Sequence, residues 1–244
     1  MLTRFIAAAR SRIGEDDVPQ TRLLNRLAKR LFDVVVAALM LLIFSPVMLL
    51  AALAVLLSQG RPVFFLSTRY IGLHRPIRVI KFRTMVRDAC SPKFKLKERF
   101  MRDGYLDIPI DCEVYTRVGR VLERLQIVEL PQLINVIFHG MSLVGNRPLP
   151  KENLELLGRF PGWEKRFESP AGITGISQVV GKLNLKPVQR LRLESLYSKV
   201  YQEGNIYKCD FLIVWYTTAN VLLRNQGISL ERAEALLRSC LPMP

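Results

Sequence analysis

The sequence predicts an α/β protein in two parts: a re-entrant helical hairpin in a membrane, and a small cytoplasmic domain, mostly helical with short strands. Three observations carry this. The 24 residues from Val34 to Leu57, VVVAALMLLIFSPVMLLAALAVLL, hold no charge, and that is long enough for a hydrocarbon core about 30 Å thick. Ser45-Pro46 sits at their centre, where proline removes a backbone donor and crowds the preceding turn, so the helix kinks. Basic residues flank both ends: Arg22, Arg26, Lys29 and Arg30 before, and Arg61, Arg69, Arg75 and Arg78 after. Positive charge marks the cytoplasmic side, and its presence on both flanks favours a hairpin over a kinked spanning helix.

Within its 244 residues the chain divides into a 1–28 N-terminal extension, a 29–60 re-entrant membrane helix, a 61–225 soluble domain and a 226–244 C-terminal tail. Residues 1–21 mix Arg4, Arg10 and Arg12 with Glu15, Asp16 and Asp17 and show no sustained period. Arg61 to Phe65 and Arg78 to Arg83 read as two short strands around a turn at Gly72, rich in the side chains strands favour. Ser91 to Asp111 is polar and broken by Pro92, Gly104 and Pro109, hence loop or short helix.

Val114, Val118, Val121, Leu122 and Leu125 recur at helical spacing, and Leu130 to Phe138 forms a second apolar helix opened by Pro131, so two helices meet near Glu129. Gly140 to Pro150 and Pro170 to Gly181 are glycine-punctuated segments of the kind that hold binding groups. Pro187 to Gln202 is an amphipathic helix. Phe211 to Leu223 is uncharged and carries Trp215 and Tyr216, which suits either a membrane interface or a core helix.

The net charge is +15, with 50% apolar residues, which excludes a disordered chain and points to anionic partners. Lipid headgroups and phosphate substrates account for that charge, and no nucleic-acid signature accompanies it, so no nucleic acid is expected. Cys90, Cys112, Cys209 and Cys240 form no C-x-x-C pair, and His74 and His139 are the only histidines. Zinc is thereby excluded, and a reducing compartment is expected. No dinucleotide, P-loop or hydrolase motif occurs.

Several stretches together resemble the bacterial sugar transferase family, the monotopic phosphoglycosyl transferases. They are Lys29-Arg30-x-x-Asp33, Ser45-Pro46, Gly60-Arg-Pro-Val-Phe-Phe65, Arg69-Tyr-Ile-Gly72 and Lys81-Phe-Arg-Thr-Met85. Thr116-Arg-Val-Gly-Arg120, Glu129-Leu-Pro-Gln-Leu133, Met141-Ser-Leu-Val-Gly145 with Arg147-Pro148, and Gly172-Ile-Thr-Gly175 with Gln178-Val179 follow in order. The match runs from Lys29 to Leu223.

The resemblance implies transfer of a sugar 1-phosphate from a nucleotide diphosphate sugar to polyprenol phosphate, initiating an exopolysaccharide or other surface glycan. It implies magnesium (Mg2+) as cofactor and a soluble domain on the cytoplasmic face of the bacterial inner membrane, in contact with its lipids and possible glycan-pathway proteins. Phosphate contacts fall to Lys81, Arg83 and Arg147, and substrate binding also to Gln178, because cations must neutralise the diphosphate during attack.

A typical member uses an Asp-Glu pair before Leu-Pro, and here that pair is Val128-Glu129. Valine cannot attack phosphorus or bind a metal. Glu129 is left as the catalytic candidate, either nucleophile or metal ligand, against a plain surface or helix-capping carboxylate. Direct attack by the acceptor phosphate is a second reading, and a noncatalytic scaffold or regulator of the pathway is a third. Glu123, Leu125-Gln126, Gly140 and Asn146 also depart from the family's pattern. Asp33 is expected to pair with basic residues at the interface, and Asp210 carries no role.

Overall fold

The computed structural model describes residues 20–102, 105–181, 185–223 and 227–242. Residues 1–19, most of the expected N-terminal extension, lie outside them. The chain divides into two compact units, Met1–Phe32 and Asp33–Pro244.

The apolar segment lies in one helix, α1 (Gln20–Gln59), with Pro46 inside it. From Leu23 to Gln59 it is long and apolar enough to cross a membrane, with a mean hydropathy of 2.8 over its most apolar 18 residues. Proline 46 has no N–H for the carbonyl of Leu42, one turn back. The Ser45 hydroxyl donates to that carbonyl instead, at 2.8 Å, so the pair Ser45-Pro46 breaks one bond and supplies another within two residues. In hydrocarbon no water can take that role. Ser45→Ala is therefore expected to destabilise the detergent-solubilised protein by about 1–2 kcal/mol, read as a fall in thermal midpoint, whereas Ser45→Thr keeps the bond.

One stripe of α1 packs inward. Ala37 is buried in a cluster with Val79, Leu133, Val136 and Met141, and Ala51 and Val55 are buried with Phe82, Leu122 and Val128. Leu39, Leu42, Ile43, Leu49, Leu50, Leu53 and Leu57 are exposed on the outside. A water-facing helix would not carry such a row, and a lipid-facing one should.

Beyond α1, β1 (Phe64–Tyr70) pairs antiparallel with β2 (Pro76–Phe82), from Phe64 opposite Phe82 to Tyr70 opposite Pro76. The first strand thus starts three residues later than the sequence suggests and includes Arg69. The Ser91–Asp111 stretch holds a 3-10 turn (Pro92–Phe94), the short α2 (Leu96–Phe100) and a minimal ribbon of β3 (Met101–Arg102) and β4 (Tyr105–Leu106).

Helix α3 (Arg117–Arg124) begins later than the Val114 periodicity implies because the Thr116 side chain accepts from Gly119 N–H and caps it. Val114 instead pairs its carbonyl with Val86 N–H, and Thr116 N–H donates to Thr84. Gly119 lies so close that a Cβ there would come within 1.9 Å of the Thr84 carbonyl oxygen. Between α3 and α4 (Gln132–Phe138) runs a single 3-10 turn, Ile127–Glu129, and Pro131 stands at the helix entry as expected.

The remaining chain forms β5 (Ser142–Val144) parallel to β6 (Gly172–Thr174), with α5 (Lys151–Leu157), a 3-10 turn (Trp163–Phe167), α6 (Ile176–Val180), α7 (Pro187–Glu203), α8 (Ile206–Leu223) and α9 (Leu230–Arg238). The core of this part gathers on Tyr197, Leu193 and Val200 of α7. Residues 226–244, expected as a tail, carry α9, and Ala233, Leu236 and Leu237 on it are buried in that core. Their i, i+3, i+4 spacing is the reason it folds back. Helix α8 is buried at Cys209 and Ile213, as its core reading expects, and exposed at Phe211, Trp215 and Leu222.

Candidate functional site

Alternation along a strand puts every second side chain on one face, and in an antiparallel pair directly opposed residues share a face. Lys81 lies opposite Phe65, and Arg69 is four residues beyond Phe65 on the same strand. The hairpin therefore presents Arg69 and Lys81 together. The 3-10 turn between α3 and α4 delivers Glu129, and the loop after β5 delivers Arg147.

Lys81 and Arg147 converge on one oxygen of Glu129. Lys81 Nζ lies 2.7 Å and Arg147 Nη2 2.8 Å from Glu129 Oε1, all three side chains mostly shielded from solvent. Burial lowers the pKa of Lys81, Glu129 opposes that shift, and the charges of Arg147 and Arg69 add to the lowering. Glu129 raises that of Arg147. Arg69 is lowered by burial and then by Arg147, and its Nε donates to Ser67 at 2.9 Å. A crevice too tight to hold a water molecule, lined by residues that include Tyr70, Ile71, Arg147 and Phe167, lies beside the cluster.

The cluster is held from behind by neutral and charged groups. Asn135, fully buried on α4, donates to the Arg78 carbonyl at 2.8 Å and accepts from Ile80 N–H at 3.0 Å. It thereby fixes β2 one residue from Lys81. The Arg147 carbonyl accepts from Arg166 at 2.8 Å, and Arg166 Nε pairs with the fully buried Glu194 at 2.8 Å. Asn146 Nδ2 lies within 2.8–3.1 Å of the Arg166 and Glu194 carbonyls and the Ser169 and Ser198 hydroxyls. An amide hub explains asparagine at 146, since proline has no side-chain donor to offer.

Gly140 also has a local reason. It follows the end of α4 with φ +75, the left-handed conformation that closes a helix and favours glycine. Gln126 adopts φ 57, and its side chain donates to the Glu123 carbonyl at 2.9 Å. Glu123 in turn accepts from the Thr84 hydroxyl at 3.2 Å.

Of the residues expected at the site, the structure brings together Glu129, Lys81 and Arg147. Arg83 goes elsewhere: its Nη2 donates to the carbonyls of Gln59 and Gly60 at 2.7 and 2.8 Å. It thus closes the C-terminal end of α1, where a cation also meets the helix dipole favourably. Gln178 donates to the Ile173 carbonyl at 2.9 Å and ties β6 to α6. Asp33 accepts from the Ser142 hydroxyl at 2.5 Å, and Asp210 accepts from Tyr197 at 2.9 Å. Arg69 and Asn135 were not singled out from the sequence; Arg69 stands in a family-like stretch, but Asn135 has no local signal because its partners are 55 and 57 positions away.

Val128 points away from the cluster and is 4% exposed among Ala51, Val55, Phe82 and Leu122. The residues present do not fit a magnesium ion well. Its usual protein ligands are one or two carboxylates, and here the carboxylate oxygen is shared by two cations. Among the described residues, no three His, Cys, Asp or Glu side chains gather to hold a metal.

The family model for bacterial sugar transferases matches residues 24–224. The chain is 37% identical over 164 residues to a UDP-glucose:undecaprenyl-phosphate glucose-1-phosphate transferase of Caulobacter vibrioides, covering 67% of this chain and 57% of that protein. A protein of the same name from Escherichia coli is 40% identical over 158 residues, 64% of this chain and 32% of its own length. Exopolysaccharide production protein ExoY of Rhizobium meliloti is 33% identical over 217 residues, covering 85% of this chain and 91% of that protein.

Proposed function

This chain belongs to the bacterial sugar transferase family, and on that premise we propose that it transfers a sugar 1-phosphate from a nucleotide diphosphate sugar to undecaprenyl phosphate, initiating an exopolysaccharide or other surface glycan. The observation that carries the reading is the convergence of Lys81 and Arg147 on Glu129, three largely shielded side chains brought together from distant parts of the chain. UDP-glucose, named in two relatives, is the first donor to try.

Both ends of the apolar segment are tied to the same domain, Asp33 through Ser142 and the Gln59 carbonyl through Arg83. Ala37 and Val55, on either side of Pro46, are both buried. The helix runs unbroken through Pro46, so the expected hairpin is replaced by a single helix held to the domain at both ends, and these contacts support a segment that stays on the domain's side of the membrane, at the cytoplasmic face of the inner membrane. The exposed Phe211, Trp215 and Leu222 of α8 suit the same interface.

Direct attack by the acceptor fits the residues best. An oxygen of undecaprenyl phosphate forms a new bond to the sugar-bearing phosphorus. The bridging P–O bond breaks, its electron pair leaves on nucleoside monophosphate, and no proton has to move. Lys81 and Arg147 neutralise the oxygens on which charge develops. Glu129, its Oε1 engaged by both, serves as the group that positions them, since two ion pairs draw on the electron density a nucleophile needs.

Purified protein in detergent is expected to release nucleoside monophosphate from a nucleotide diphosphate sugar only when undecaprenyl phosphate is present, leaving no phosphosugar on the chain. A trapped phosphosugar adduct would overturn the direct route. Val128 favours a second reading, a noncatalytic member that binds the nucleotide sugar or a pathway protein. Bound donor with no monophosphate across a broad donor panel would establish that one.

A further inference from the structure

We propose that Arg69, Lys81 and Arg147 hold the donor's diphosphate directly, with no divalent cation between protein and phosphate. This rests on the transfer reading above and concerns how the same site neutralises its substrate.

Charge is the first argument. Arg69, Lys81 and Arg147 bring three positive charges and Glu129 one negative, so the cluster carries 3 − 1 = +2. Glu123 and Glu152 act on it only at longer range. The diphosphate of a nucleotide sugar carries two negative charges and would balance the cluster by itself. A magnesium–diphosphate unit is close to neutral and would leave the cations uncompensated.

Geometry is the second. A divalent cation on Glu129 would sit on a carboxylate whose Oε1 already holds Lys81 Nζ at 2.7 Å and Arg147 Nη2 at 2.8 Å, directly beside both cations. Like charges at such a separation repel strongly where water is largely excluded. A diphosphate oxygen, by contrast, accepts from further N–H groups of the same two side chains, which carry three and five donors, while Glu129 keeps its place and their backbones stay where Asn135 and Arg166 hold them. The guanidinium groups of Arg69 and Arg147 also match the paired oxygens of a phosphate.

The test is calorimetric titration of the full-length, detergent-solubilised protein with UDP-glucose, once in excess EDTA and once in excess magnesium chloride, with inorganic pyrophosphate and undecaprenyl phosphate as competitors. The expected result is a dissociation constant that differs by less than about threefold between the two conditions, with pyrophosphate displacing the ligand. Arg69→Met should weaken binding in EDTA by about 10-fold or more. Binding that needs magnesium would overturn the inference and leave the transfer reading standing. Displacement by undecaprenyl phosphate but not by pyrophosphate would assign the cluster to the acceptor and overturn it too. No binding in either condition, with UDP-glucose or with other nucleotide diphosphate sugars, would remove both.

Discussion

Val128→Asp is expected to lower stability by about 3–5 kcal/mol, the range for a buried charge left without a partner, and to create no phosphosugar-carrying enzyme. The position is 4% exposed, and its neighbours are Ala51 and Val55 of α1, Phe82 of β2 and Leu122 of α3. Nothing in that apolar cluster can hydrogen-bond a carboxylate, so the folded state would raise its pKa well above the usual 3.9 or so. The sign of the pH dependence follows. The unfolded chain ionises first, so the loss grows as pH rises from about 5 to 8 and fades toward acid. Thermal unfolding in detergent at several pH values, beside Val128→Leu as a size control, measures it. A stable variant that traps a phosphosugar would mean that position 128 faces the cluster after all. The valine completes the contact between α1 and the domain.

Arg147→Met is expected to lower acceptor-dependent monophosphate release by about 10²–10³-fold, the cost of losing one well-placed donor to developing charge, about 2.7–4 kcal/mol. The loss should fall on donor binding and on kcat together, because Arg147 meets the diphosphate when the donor binds and the charge there grows as the bridging bond breaks. Folding should be little affected. Arg166 grips the Arg147 backbone carbonyl, which methionine keeps, and Lys81 remains paired with Glu129. Arg147→Lys should recover part of the activity, since it restores the charge without the fork. Full activity in Arg147→Met, with unchanged thermal stability, would remove this residue from the reaction.

Much of the site was legible before any coordinates. Lys81, Glu129 and Arg147 stand in stretches whose order resembles a family, and the structure gathers all three. The same motifs misled where a residue's neighbours differ from its sequence context. Arg83 is two positions from Lys81, yet its guanidinium closes α1 by bonding the Gln59 and Gly60 carbonyls. Gln178 ties its own loop together through the Ile173 carbonyl. Asn135 and Arg69 gain meaning only from partners that the fold supplies.

The sequence by itself determined the apolar segment with its Ser-Pro centre, the proline-marked helix entries at Pro131 and Pro187 and the cationic character, because proline chemistry, apolar run length and charge are local or additive. It could not determine that residues 226–244 return to the core through α9, or that Val128 packs under α1. Only the tertiary structure decided which face each side chain takes and which carbonyls, carboxylates and cations share a site. Those outcomes depend on burial and on contacts between residues far apart in the chain, which no local pattern encodes.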